Sequence, residues 1–133
     1  MSIAARLEEL GIDLPPLAVP VAAYVPTVQT GQLVYTSGQL PFVAGVLPAT
    51  GKVGAEVSSA EATQFARIAV LNALAAIAEE VGSLDRVRRI VKLVGFVASA
   101  PEFTGQPAVI NGASELLGEI FGERGKHARS AVG

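Results

Sequence analysis

The chain of 133 residues contains no cysteine and only one histidine. The absence of cysteine excludes disulfides, thiol catalysis and metal sites built on thiolates. A single histidine with acidic residues dispersed along the chain does not make a ligand set for a metal ion. We therefore expect neither a metal site nor a cofactor.

Charged residues are also scarce, at 17% of the chain, and the formal net charge is −2. A chain with this balance has no overall basic field that would attract nucleic acid. Its one basic cluster comprises Arg86, Arg88, Arg89 and Lys92, and no aromatic residue interleaves with it. We interpret the cluster as a solvated strand entrance, so a nucleic-acid partner is not expected.

Long apolar runs are missing as well. The longest apolar-rich segment, residues 68–78, contains Asn72 and is followed by Glu79 and Glu80, so it is too short to span a membrane. Half of the residues are nevertheless hydrophobic, and the mean hydropathy of +0.48 is high for a soluble monomer. A large apolar interface between subunits accounts for this composition, so we expect a homo-oligomer.

No repeat, low-complexity tract or linker divides the sequence, so a single domain is predicted over residues 1–133. Within it, residues 1–16 are predicted to form an accessory N-terminal helix and linker, because Ile3, Leu7 and Leu10 fall on one helical face. Charges interrupt this N-terminal segment, which is not typical of a secretory signal. We therefore expect a cytoplasmic protein.

The remaining pattern predicts the order strand–strand–helix–strand–helix–strand. The first two strands are expected at residues 21–29 and 33–37, joined by a turn at residues 30–31. A second hairpin turn is expected at residues 49–52 because glycine and proline are frequent there.

Two long helices are expected. Ser58 and Glu61 have the spacing of a capping box, which predicts that the first helix begins there and extends to residue 81. The second helix is predicted over residues 104–121, where Gly112 and Gly118 would permit close approach of another backbone.

The segment 86–98 is predicted to be a central strand. Both of its faces are apolar from Val91 onward, which indicates cover on both sides. The helices would cover one side and another subunit the other. The elements together predict an α+β fold with two layers, a mixed sheet carrying both long helices on one face.

Residues 127–133 place one arginine inside a small, apolar strand. Alternation puts His127, Arg129 and Ala131 on the same face. The guanidinium must reach water, an acidic partner or an anionic ligand, and its planar fork suits a carboxylate. The alternative is an edge-strand arginine whose head lies in solvent.

Tyr24, the segment TSGQLP at residues 36–41 and the segment HARS at residues 127–130 resemble the reactive-intermediate deaminase (Rid or YjgF-type) family. The stretch NGAS at residues 111–114 is similar to the branch called endoribonuclease L-PSP or chorismate-mutase-like. The resemblance implies a chorismate-mutase-like α+β fold and a homotrimer with clefts between subunits.

The resemblance also implies an activity. Arg129 would be the catalytic residue that binds the carboxylate of a 2-imino or enamine acid while water attacks the imine carbon, releasing ammonia and a 2-keto acid. The substrate-binding residues carried over are Tyr24, Ser37, Gly38 and Asn111, with Asn111 at the rim. The expected partner is therefore a small-molecule carboxylate.

In the family, a final strand bears a glutamate that holds the water, and we expect that strand to be absent from residues 1–133. No residue is therefore assigned to activate the water, and His127 is interpreted as a rim or structural residue. One alternative is a non-catalytic protein that binds small carboxylates in the same cleft. An endoribonuclease is the less favoured alternative, because it requires RNA binding.

Overall fold

The computed structural model describes residues 2–17 and 22–133, which form three α-helices and four β-strands. In chain order these are α1 (Ile3–Glu9), β1 (Thr27–Thr30), β2 (Leu33–Thr36), α2 (Ser59–Val81), β3 (Lys92–Phe96), α3 (Gln106–Phe121) and β4 (Ala128–Val132). This order confirms the predicted succession and the α+β class. The single mixed sheet that was predicted is instead two separate two-stranded sheets, β1–β2 and β3–β4.

Helix α1 packs into the main core. Ser2 caps it by accepting a hydrogen bond from the backbone of Ala5, and Ile3 and Leu7 are buried against α3 and neighbouring residues. The predicted apolar face is thus the face that is covered.

Strands β1 and β2 form an antiparallel hairpin with Thr30 opposite Leu33. The turn is therefore Gly31–Gln32, one residue later than predicted, and the φ of +57° at Gly31 suits the first position of a two-residue turn. β1 begins only at Thr27, because Pro26 lacks an N–H group for the ladder. The predicted start at residue 21 lies outside the described residues.

The hairpin turn predicted at residues 49–52 is wrong. Between residues 40 and 57, all of which are described, only isolated bridges join Val43 to Val46 and Val53 to Val57. The backbone N–H of Lys52 donates to the Glu56 carboxylate. The next residue, Val53, pairs with the segment after β3, where it donates to the Ala98 carbonyl oxygen and accepts from the Ala100 N–H.

Helices α2 and α3 form the layer that covers the strands. The capping box of Ser58 and Glu61 is present, and α2 ends at Gly82 with a φ of +91°. The helices approach closely at Gly112, where a Cβ atom would lie 2.1 Å from the backbone oxygen of Thr63. The largest fully buried side chains are Leu74, Leu116 and Leu117.

Strands β3 and β4 pair in parallel, with Leu93 opposite Arg129. β3 is shorter than the predicted strand 86–98. A 3-10 turn (Leu84–Arg86) includes only the first predicted residue, and residues 87–91 have no regular secondary structure. Toward the helices, a Cβ atom at Gly95 would meet Ile110. On the other side, Val94 is 49% exposed and Phe96 is 79% exposed. The helices therefore cover one face of this ladder, as predicted, and the opposite face of the single chain is open.

Within residues 2–17 and 22–133, no helix is both long and apolar enough to cross a membrane.

Candidate functional site

A cavity of about 360 Å³ lies between α3 and the end of the chain that forms β4. It is lined by Asn111, Ser114, Gly118, Gly125, Lys126, His127 and Arg129. No acidic side chain is among these lining residues, so the cavity presents cationic and neutral polar groups.

The local structure explains why these residues meet. Ser114 lies three positions after Asn111, and Gly118 lies seven positions after it. The three residues therefore share one face of α3. Residues 122–125 form a 3-10 turn after α3, which returns the chain so that His127 and Arg129 face that helix. The alternation predicted for this strand is confirmed.

Arg129 is half-buried and held by neutral partners. Its Nη1 donates to Asn111 Oδ1 at 2.7 Å and to Ser114 Oγ at 3.2 Å. Within the described part of the chain it forms no ion pair, and its Nε and Nη2 have no hydrogen-bond acceptor there. This edge of the guanidinium has the geometry for bidentate binding of a carboxylate.

Lys126 is the other side chain with a full positive charge in the lining. Its Nζ lies 3.0 Å from a carboxylate oxygen of Glu123, and both side chains are exposed. Lys126 is exposed and paired with Glu123, whereas Arg129 is half-buried and has no ion-pair partner among the described residues. Arg129 is therefore the less screened positive charge of the cavity.

Ser114 and His127 form a second polar pair in the cavity. The Gly125 carbonyl oxygen can only accept, so the Nδ1 of His127 within hydrogen-bond distance of it carries the hydrogen. In the neutral ring, Nε2 is then an acceptor, and Ser114 Oγ lies 2.9 Å from it and donates. Ser114 therefore accepts from Arg129 and donates to His127.

The structure brings two of the five predicted site residues together, since Arg129 and Asn111 share the cavity. Tyr24, Ser37 and Gly38 lie at the hairpin of β1 and β2, which packs against α2, and they do not line this cavity. Tyr24 is 58% exposed, and Ser37 Oγ donates to the Val25 carbonyl oxygen across the open end of the hairpin.

The sequence-based interpretation missed Ser114 and Lys126 as lining residues and assigned His127 to the rim. The spacing of Asn111 and Ser114, three residues apart in a predicted helix, was the available signal, because such residues share a face. Within residues 2–17 and 22–133, no three His, Asp or Glu side chains cluster closely enough to hold a metal ion.

Comparison with known families and curated proteins gives two matches. The model of the family described as "YjgF/chorismate_mutase-like, putative endoribonuclease" matches residues 4–132. Protein TCP17 of Trypanosoma cruzi is 46% identical over 134 residues, which cover 98% of this chain and 82% of TCP17.

Solved structures are similar to this chain in both sequence and shape, and two of them are described here. Atu1372, a protein "with unknown function" from Agrobacterium tumefaciens, is 47% identical with a TM-score of 0.88, over 98% of this chain and 80% of the other. A "putative endoribonuclease" from Shewanella oneidensis is 35% identical with a TM-score of 0.95, over 99% of this chain and 87% of the other.

Proposed function

The chain belongs to the YjgF/chorismate mutase-like family, and we propose that it hydrolyses reactive 2-imino or enamine acids to 2-keto acids and ammonia. The observation that carries this proposal is Arg129. It is half-buried in a cavity without acidic lining, oriented by Asn111 and Ser114, and it keeps one edge of its guanidinium for a ligand.

Arg129 would act by holding the substrate carboxylate through Nε and Nη2. A carboxylate fixed at two points places the adjacent imine carbon at a defined position in the cavity. Orientation of this kind can supply several kcal/mol of the barrier reduction, about 7–11 kcal/mol in the best intramolecular cases.

We further propose that the working form is a homotrimer and that the complete site lies in a cleft between subunits. The open face of the β3–β4 ladder supports an association, because it exposes Val94 and Phe96. In such an assembly Tyr24, Ser37 and Gly38 would approach the cavity from a neighbouring chain, since they do not reach it within one chain.

The test is an assay of ammonia and 2-keto acid release from 2-imino acids generated in situ by an amino-acid oxidase. Spontaneous hydrolysis without the protein is subtracted. We expect turnover by the wild-type protein and none by Arg129→Ala, with the oligomer intact. Arg88→Ala is the matched control, because Arg88 is exposed and makes no hydrogen bond within the described residues. Full activity of Arg129→Ala would refute the assigned role.

A second candidate function is a non-catalytic protein that binds small carboxylates. It would need only the guanidinium edge of Arg129 that is not bonded to Asn111 or Ser114, since this edge can hold a carboxylate without any group that activates water. Saturable binding of a 2-keto acid without turnover of any 2-imino acid would establish this alternative.

The endoribonuclease wording in the family description and in the name of the Shewanella protein gives the third candidate. Here Arg86, Arg89 and Lys92 each donate a hydrogen bond within the chain. An endoribonuclease should bind RNA more tightly as the salt concentration is lowered. Absence of RNA binding at low salt would exclude this activity.

A further inference from the structure

The proposed function needs more of Arg129 than its charge, because binding a carboxylate at two points requires a guanidinium plane of fixed orientation. A side chain that is already held in the binding orientation loses less conformational freedom when the ligand binds. Resting on the proposed function, we propose that His127 is a positioning residue. It acts through Ser114 to hold the guanidinium of Arg129 in the orientation that receives the substrate carboxylate.

Nη1 is the nitrogen by which the guanidinium of Arg129 is held. Asn111 Oδ1 accepts from it at 2.7 Å and Ser114 Oγ at 3.2 Å. Nη1 carries two hydrogens, which match these two acceptors. Because the guanidinium is planar, two acceptors at one nitrogen orient the whole group. Without the Ser114 acceptor, the group could turn about its remaining bond to Asn111.

Ser114 serves as an acceptor for Arg129 while its own hydroxyl hydrogen points elsewhere. A serine within a helix can donate to the carbonyl oxygen four residues earlier, which here is that of Ile110. Instead, Ser114 Oγ lies 2.9 Å from Nε2 of His127, to which it donates. His127 therefore takes the hydroxyl hydrogen and keeps the lone pairs of Ser114 turned toward Arg129.

His127 is itself anchored to the backbone. Its Nδ1 donates to the Gly125 carbonyl oxygen, which leaves Nε2 as the acceptor nitrogen of the neutral ring. Gly125 packs closely against α3, since a Cβ atom there would lie 2.3 Å from the Leu117 carbonyl oxygen. Hydrogen bonds thus lead from the Gly125 backbone through His127 and Ser114 to Arg129.

The surroundings of His127 separate this role from a contribution to the core. The residue is half-buried and belongs to neither of the two hydrophobic clusters of the described residues. Within residues 2–17 and 22–133, its ring bonds only to Gly125 and Ser114. Replacement of His127 should therefore disturb the orientation of Arg129 more than the stability of the fold.

The first experiment is calorimetric titration with pyruvate, a stable 2-keto acid, of His127→Phe and His127→Gln. Phenylalanine keeps a planar ring but has no nitrogen to accept from Ser114, whereas glutamine supplies an amide oxygen. We expect His127→Phe to weaken binding about two- to tenfold, the range for one lost hydrogen bond. His127→Gln should regain most of this loss.

A double-mutant cycle shows whether His127 acts through Ser114. Ser114→Ala alone should weaken pyruvate binding by a similar factor, because Arg129 loses the same acceptor. Added to Ser114→Ala, His127→Phe should cause no further loss. Losses that multiply would overturn the proposal, since they mean that the two residues act independently. Ser59→Ala is the matched serine control, because Ser59 is exposed at the start of α2 and lies outside the cavity.

A spectroscopic test needs no ligand. Because the chain has one histidine, labelling with ¹⁵N-histidine gives NMR signals from a single ring. We expect the neutral ring to carry its hydrogen on Nδ1, and the Nε2 signal to shift in Ser114→Ala. A hydrogen on Nε2 of the neutral ring would overturn the proposal, even if His127→Phe failed to fold.

The outcomes distinguish the positioning role from the function on which it rests. Equal pyruvate binding by the wild-type protein, His127→Phe and Ser114→Ala overturns the positioning role alone. Binding that depends on His127, without turnover of any 2-imino acid, supports the positioning role and overturns the hydrolase. Absence of both binding and turnover in the wild-type protein overturns both.

Discussion

The decisive residue of this molecule is an arginine held by neutral groups. Asn111 and Ser114 accept from Nη1 of Arg129, and no acid of the described residues pairs with it. Neutral acceptors orient a guanidinium without cancelling its charge. The half-buried position also lowers the screening by water. Such an arginine is suited to binding an anion rather than to stabilising the fold.

Replacement of Asn111 tests this difference between orientation and charge. Asn111→Asp would place a carboxylate within reach of Nη1 and cancel the charge of Arg129. We expect 2-keto acid binding to weaken about ten- to a hundredfold, because a charge-assisted hydrogen bond contributes roughly 1.5–3 kcal/mol. The measurement is calorimetric titration with a 2-keto acid.

Asn111→Ala is the control for that change, because it removes the orienting oxygen and leaves the charge. Its binding should weaken less than that of Asn111→Asp. If both variants bind the 2-keto acid like the wild-type protein, Arg129 is not the anchor.

At this scale the sequence predicted part of the site. Arg129 and Asn111 could be named from their segments, and the structure joins them. The pairing of Ser114 with His127 could not be predicted, because it depends on where residues 122–125 turn the chain and on which carbonyl the ring meets.

At the scale of elements, α3 serves both the core and the site. One face buries Ile110, Ala113 and Leu117, and the polar face presents Asn111 and Ser114 to the cavity. Its two inner glycines differ in their surroundings. A Cβ atom at Gly112 would collide with the backbone of α2, whereas one at Gly118 would meet no heavy atom within 4 Å.

This difference predicts opposite effects of alanine. Gly112→Ala must separate α2 from α3 and should lower the free energy of unfolding by about 1–3 kcal/mol, as overpacking does. Gly118→Ala should raise it by up to about 1 kcal/mol, because alanine is the better helix former. Urea unfolding at one protein concentration measures both, and equal effects would contradict the packing described.

The ends of a helix or strand could be predicted where the residues that determine them are close together in the sequence. The capping box at Ser58 and the glycine at position 82 are local, so the bounds of α2 were predicted closely. The expected close approach at Gly118 was wrong, because sequence alone does not show which glycine of a helix faces a neighbour. The hairpin turn predicted at residues 49–52 was wrong because the backbone of this loop pairs with a distant segment, through the bridge of Val53 to Ser99, and local residue types do not show such a contact.

At the scale of the whole molecule, the open side of the β3–β4 ladder exposes large apolar side chains to solvent. Phe96 is 79% exposed, and Val91 and Val132 lie beside the same ladder with about half of their surface exposed. The order of elements and the helical layer were predictable from periodicity. The separation of Tyr24 and Ser37 from the cavity could not be predicted, because it depends on how the β1–β2 hairpin packs relative to the β3–β4 ladder.

A charge on this open face should prevent association. We expect Phe96→Asp to convert the proposed trimer to monomers, because a buried unpaired carboxylate costs several kcal/mol per subunit interface. Ala108→Asp is the matched control, since Ala108 is exposed in the first turn of α3, where an acid is favourable. Sedimentation velocity measures the change, and an intact oligomer in Phe96→Asp would place the interface elsewhere.

The measurement that tests the central claim most directly is ammonia release from a 2-imino acid by the wild-type protein and by Arg129→Lys. Lysine keeps the charge but lacks the planar fork that holds a carboxylate at two points. We predict clear turnover by the wild-type protein and a large loss in Arg129→Lys, with the oligomer unchanged. Equal turnover by both proteins would contradict the claim that Arg129 anchors the substrate carboxylate.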